Sequence, residues 1–129
     1  MQTTLDRIVS FEGLGLHTGR PVSVVLYPAD AGHGVTFERA DLPGSAPIPA
    51  LWDHVEQTAL NTRIRNAVGD EVSTIEHLMA ALAGTGCHNV RIVIDGPEVP
   101  ILDGSALAFV RGILAAGLRR LHAPLHAIE

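Results

Sequence analysis

A helix with no face to give to water must be packed on both sides, and residues 73–84 spell such a helix. In Ser73-Thr74-Ile75-Glu76-His77-Leu78-Met79-Ala80-Ala81-Leu82-Ala83-Gly84, the side chains of Ile75, Leu78, Met79 and Leu82 fall at helical spacing and form one apolar stripe. Ser73 stands at the N-cap position with Glu76 three residues on, the spacing of a capping box, and Gly84 supplies a stop. A surface helix turns Lys, Glu or Gln to solvent on its other side. Here that side carries Glu76 and His77, then only Ala80, Ala81, Ala83 and Gly84. Small residues there let a second backbone or a substrate come close.

Two readings of the polar pair stand. In one, Glu76 completes the capping box and His77 is a half-buried histidine satisfied by a backbone carbonyl. In the other, His77 is a metal ligand and Glu76 a general base beside it. Adjacent helical residues project about 100° apart, so the two do not grip one ion together. They can place a ligand and a base around the same water. The zincin pattern His-Glu-x-x-His is absent, since the order is reversed and position 81 is Ala.

With 129 residues, the chain is expected to be a single domain, residues 1–129. A hydrophobic content of 47% and a mean hydropathy of +0.25 exclude a disordered chain. No apolar run reaches the length of a membrane span. Met1 to Arg7 lacks the basic-then-apolar plan of a signal peptide. The single Cys87 fits a reducing compartment, so the expected location is cytoplasmic. A net charge of −5 and nine scattered Arg argue against nucleic-acid binding. The seven His are dispersed, with no pair at metal-ligand spacing.

Along the chain, a Gly-broken strand within Thr4 to Leu16 enters a turn at His17-Thr18-Gly19-Arg20. Pro21 to Pro28 returns as the second arm of a hairpin. Gly13-Leu14-Gly15 is followed by a strand rather than a helix, so it fails as a dinucleotide fingerprint and reads as bends or bulges. Val35 to Arg39 is a third strand, and Leu42 to Pro49 is too rich in Pro, Gly and Ser for regular structure. Thr58 to Ile64 reads weakly as a strand, and Asn66 to Asp70 as a turn. Asn89 to Asp95 is the clearest strand, and Glu98 to Leu102 a short extended piece. Asp103-Gly104-Ser105 then caps a second helix, Ala106 to Ala116, ended by Gly117. Its apolar residues also spread around most of the circumference. The expected fold is a two-layer α+β domain: a mainly antiparallel sheet of about five strands, with two helices on one face. Their outer faces would form an apolar patch that something else should cover.

Three stretches in register make the chain resemble a known family. They are Gly13-Leu14-Gly15-Leu16-His17-Thr18-Gly19, Ser73 to Gly84, and Gly96-Pro97-Glu98-Val99-Pro100-Ile101-Leu102-Asp103-Gly104-Ser105-Ala106. Together they resemble the N-terminal domain of UDP-3-O-acyl-N-acetylglucosamine deacetylase (LpxC), a zinc amidase of lipid A synthesis. The resemblance implies one half of a β-α-α-β sandwich, with the helices as inner layers. It implies Glu76 as general base and His77 as the one zinc ligand of this domain. Leu60, Asn61 and Thr62 match the segment lining the substrate approach, where many members have Cys-Thr, so Asn61 departs from the pattern. His17 and Asp103 match motif positions to which structural roles are assigned, fixing a turn and capping a helix.

The family's other zinc ligands lie in a His-Lys-x-x-x-Asp stretch of a C-terminal domain. This sequence has no Lys, and its end at Ala123 to Glu129 matches the start of the connecting strand. The expectation is therefore a chain that does not catalyse or stably hold zinc alone, and that meets a UDP-sugar lipid only within a complete enzyme. Its expected partner is a C-terminal deacetylase domain on the helical face. Two alternatives stand: a non-catalytic paralogue that binds another protein through that face, and a homodimer. In the homodimer two His77 side chains could share a metal, with His88 or His54 as further candidates.

Overall fold

The computed structural model describes residues 1–50, 55–57, 62–67 and 69–122, with residues 55–57 described as backbone only. The framework is a five-stranded sheet. Strands β2 (Val9–Leu14) and β3 (Pro21–Pro28) form the expected hairpin, with Phe11 opposite Val24 and Gly13 opposite Val22. Strand β3 pairs antiparallel with β9 (Val90–Ile94), which in turn pairs with β4 (Val35–Arg39). The β4–β9 pair is parallel, so the sheet is mixed although mainly antiparallel. At its edge, Ile48–Pro49 (β5) pairs with Thr36 and Phe37. That corrects the reading of Leu42 to Pro49 as wholly irregular: a proline is tolerated on an edge strand.

Side-chain alternation makes one face of this sheet apolar. Val22, Val24, Leu26, Phe37, Ile92 and Ile94 are buried there, with Val9 and Phe11 packed against them. On the other face Arg91 binds Glu38 with two hydrogen bonds of 2.9 Å and lies over the Tyr27 ring. Helices α1 (Glu76–Thr85) and α2 (Leu107–Ala116) pack on each other, and Leu78, Leu82, Phe109 and Ile113 join the sheet residues in one core. The α+β, sheet-plus-two-helix architecture expected from the sequence is the one observed.

Two smaller sheets were not expected. Thr3–Leu5 (β1) pairs with Leu118–Arg120 (β10), joining the two ends of the described chain. Buried Thr4, Asn89 and Gln2 hold β1 to the body: Thr4 Oγ1 donates to the Asn89 carbonyl at 2.7 Å, and Asn89 Nδ2 donates to Gln2 Oε1 at 3.0 Å. The other sheet orders β6 (Val55–Gln57), β7 (Thr62–Arg65) and β8 (Glu71–Ser73), with the expected turn at Asn66 to Asp70 between the last two. Only the end of the Thr58 to Ile64 strand can be compared, because residues 58–61 lie outside the described residues, as does the Ala123 to Glu129 tail.

The ends of α1 differ from the sequence reading. There is no capping box. Ser73 belongs to β8, its N–H and hydroxyl both donate to the Pro97 carbonyl, and the N-cap position is taken by Ile75 without a side-chain cap. A serine already engaged across a β-bridge is not free to cap. The stop is Gly86, not Gly84. Gly86 takes a left-handed φ of 79°, and Cys87 N–H donates to the Leu82 carbonyl at 3.0 Å, closing a Schellman motif. Gly117, at φ 82°, ends α2 as expected.

Candidate functional site

Glu76 and His77 are the first two residues of α1, and both are half-buried. Neither is turned into the sheet core, which takes Leu78, Ala81 and Leu82 of the same helix. The Glu76 carboxylate accepts the backbone N–H of Thr62 at 3.3 Å, and the Thr62 carbonyl accepts Ile75 N–H at 3.2 Å. Strand β7 thus meets the start of α1 through Thr62, which brings one residue of the expected substrate segment beside the expected base. Leu60 and Asn61 lie outside the described residues.

The other sequence candidates occupy different places. His88 follows α1 and so sits at the opposite end of the helix from His77, roughly 15 Å away at 1.5 Å per residue. Its Nδ1 accepts Thr3 N–H at 3.0 Å, which binds it to β1. His54 lies outside the described residues. Asp103 does not cap α2 directly. Its Oδ1 accepts both the N–H and the hydroxyl of Ser105 at 3.0 Å, and Ser105 Oγ accepts Leu107 N–H at 3.2 Å. Those hydrogen bonds, the Ser105 N–H foremost, hold the Asp103 carboxyl below the usual range. Among the described residues, no group of three or more His, Cys, Asp or Glu could hold a metal ion. A shallow depression on the β2–β3 hairpin, lined by residues including Glu12, Ser23 and Asp95, includes neither Glu76 nor His77.

The residue that sequence reasoning passed over is Glu98. It is 1% exposed, yet it is a carboxylate. Its two oxygens accept His17 N–H at 3.0 and 3.2 Å, Thr18 N–H at 3.0 Å, the Thr74 hydroxyl at 2.6 Å and the His17 ring at 2.7 Å. An ionised carboxylate only accepts, so His17 Nδ1 carries the proton in that contact. Burial pushes the Glu98 pKa up, but hydrogen bonds from the Thr74 hydroxyl, Thr18 N–H and His17 outweigh it and hold the carboxyl below its ordinary value. The signal available in the sequence was an acidic residue between two prolines in the apolar run Pro97-Glu98-Val99-Pro100. His17 and Thr18 belong to one turn, and Glu98 is the group to which that turn is bonded.

A profile of the family described as LpxC, UDP-3-O-acyl N-acetylglycosamine deacetylase, matches residues 2–129. The chain belongs to the LpxC family. Among relatives of that family, the UDP-3-O-acyl-N-acetylglucosamine deacetylase of Myxococcus xanthus is 50% identical over 123 residues, covering 95% of this chain and 39% of the relative. The deacetylase of the same name from Photobacterium profundum is 47% identical, covering 95% and 40%, and that of a Nostoc species 50% identical, covering 91% and 41%. The chain thus spans about two fifths of the length of these LpxC relatives, whose coverage is 39 to 41%. Among the described residues, no helix is long and apolar enough to cross a membrane.

Proposed function

We propose that this chain is the part of a zinc-dependent deacetylase that supplies the proton acceptor, Glu76, and one metal ligand, His77. The substrate would be a UDP-3-O-acyl-N-acetylglucosamine, met in assembly with the portion of the enzyme this chain does not span. The observation that carries the reading is the pair itself. Two consecutive chemistry-bearing side chains open a helix whose next turns are Leu, Met and Ala, and the base is held by a backbone donor of the neighbouring strand.

A catalytic zinc takes three protein ligands and an open position. The residues described here fit as a contributor to such a site and not as the whole of it, since no group of three possible ligands forms among them. Zinc, when bound, polarises a carbonyl and makes water more acidic. Glu76 would act as the general base, taking a proton from the attacking water onto its carboxylate. The Thr62 N–H orients its carboxylate for that task. Leu60, Asn61 and Thr62 are assigned to substrate binding by the family resemblance of their segment, His17 and Asp103 have structural roles, and the setting is the cytoplasm.

The same reading accounts for α2. Leu107 is 48% and Leu114 60% exposed, seven residues apart on one face of the helix. The C-terminal portion of the enzyme is the partner that covers this face; a second copy of this chain is the competing occupant, which light scattering distinguishes. The function is tested by joining the chain to the C-terminal portion of a relative and assaying release of acetate. Glu76→Gln should lower kcat by about 10²–10⁴-fold, the range for loss of a general base, with zinc content unchanged. His77→Ala should lower zinc content. A Glu76→Gln protein as active as its parent would overturn the assignment.

A further inference from the structure

Helix α1 begins from a strained residue. Thr74 has a φ of 58°, one of two non-glycine residues with positive φ among those described, and it is 3% exposed. A β-branched residue in this region is a steric outlier, held only where its surroundings over-determine it. What surrounds Thr74 is Glu98. The Thr74 hydroxyl donates to Glu98 Oε2 at 2.6 Å, while Ser73 N–H donates to the Pro97 carbonyl at 2.9 Å and Val99 N–H to the Ser73 carbonyl at 3.1 Å. The other donors to that carboxylate come from His17 and Thr18, in the turn of the β2–β3 hairpin. Gly15 is what gives it room, because a Cβ there would collide with Glu98 Oε1 and Thr18 Oγ1.

We propose that Glu98 is a positioning residue: its single carboxylate ties the His17–Thr18 turn to Thr74, and so fixes the left-handed hinge from which α1 presents Glu76 and His77. This rests on the reading of that pair as part of a hydrolytic zinc site. The carboxylate also dictates the state of His17. With Nδ1–H committed to Glu98, Nε2 is the nitrogen left on the outward side of a ring that is 35% exposed. One buried charge therefore sets both a surface imidazole and the start of the catalytic helix.

The geometry makes Glu98→Gln a sharp test. Both oxygens accept His17 N–H, but Oε1 also accepts Thr18 N–H, so an amide NH₂ there would face two backbone donors. The other position sets it against His17 Nδ1 and the Thr74 hydroxyl, with His17 N–H at the longer 3.2 Å. The Thr74 hydroxyl can turn to accept, and His17 must move its proton to Nε2. Nitrogen NMR of the 129-residue chain is therefore expected to show Nδ1–H in the parent and Nε2–H in the Glu98→Gln variant. Thr74→Val keeps the shape and loses the hydroxyl. It should speed amide exchange at Ile75 and Met79, whose N–H groups bond Thr62 and Ile75 carbonyls, by roughly tenfold or more as local opening becomes easier. In the joined deacetylase, Glu98→Gln should lower kcat by about 10-fold, the low end for residues behind a metal ligand, with KM little changed. A part that merely holds the fold together would lower the thermal midpoint and leave turnover per folded molecule alone.

An unchanged tautomer in Glu98→Gln, or unchanged exchange in Thr74→Val, would overturn the proposal, as would an unchanged kcat. The NMR and exchange results are read on this chain without turnover. They decide on Glu98 even where the joined parent releases no acetate, a result that counts against the deacetylase reading instead.

Discussion

Gly112 offers a test of how α2 lies on the sheet. A Cβ built there would lie 2.5 Å from both Cε1 and Cζ of Phe11 and 3.5 Å from Val9 Cγ2. Carbon contacts are comfortable at about 3.5–4.0 Å, so the ring would have to retreat by roughly 1 Å. It has little freedom to do so. Phe11 meets Phe109 edge-on, with ring centroids 4.9 Å apart at 68°, and Phe109 is fully buried. Overpacking of this kind costs about 1–3 kcal/mol, while replacing a helix-interior Gly by Ala returns up to about 1 kcal/mol. Gly112→Ala is therefore expected to destabilise by up to about 2 kcal/mol after the full helix-propensity return. In a Phe11→Leu background the obstructing ring is gone and only the propensity gain remains, so the same substitution should be neutral or stabilising. Urea unfolding of the four proteins, with the slopes checked for constancy, gives the coupling. Equal effects of Gly112→Ala in both backgrounds would refute the close approach of α2 to β2.

Two helix glycines should respond in opposite directions. Gly86→Ala forces a left-handed φ of 79° on a residue with a side chain and should cost about 1–2 kcal/mol, whereas Gly84→Ala, helical with open space at its Cβ, should stabilise by up to about 1 kcal/mol; the reverse order by thermal unfolding would restore Gly84 as the stop. Because the Glu98 carboxyl is held below its unfolded value, its stabilising contribution is present above the unfolded carboxylate pKa and disappears as pH falls through the lower folded one. A thermal midpoint followed downward in pH should therefore fall less steeply in Glu98→Gln than in the parent, and identical slopes would contradict the clamp. Burial pushes the Cys87 thiol up to about 11. A thiol reagent at neutral pH should leave it unlabelled until urea unfolds the chain, and rapid labelling of the native protein would contradict its burial.

The parts legible in the sequence are those set by local pattern. The β2–β3 hairpin, β9 and the stripe of α1 follow from alternation, helical spacing and flanking glycines, and the structure places each where those signals put it. What could not be read is non-local. The pairing of Thr3–Leu5 with Leu118–Arg120 joins opposite ends of the chain through strands too short to carry a period. The parallel seating of β4 on β9 depends on a connection spanning half the domain. Ser73 failed as a cap for the same reason, since its partner is the carbonyl of Pro97 rather than anything in its own helix. For the proposed site, Glu76 and His77 stand out in the sequence as the polar pair on a helix face otherwise made of Ala and Gly. Glu98 was not, because its donors come from positions 17, 18 and 74 and meet only after folding.

Zinc content and acetate release, measured on this chain alone and again after joining it to the C-terminal portion of a relative, bear most directly on whether α1 carries part of a hydrolytic metal centre. The joined protein should hold about one zinc, as a completed three-ligand site does, and turn over substrate, with both lost in His77→Ala. A joined, folded protein that binds zinc equally well without His77 would contradict the assignment.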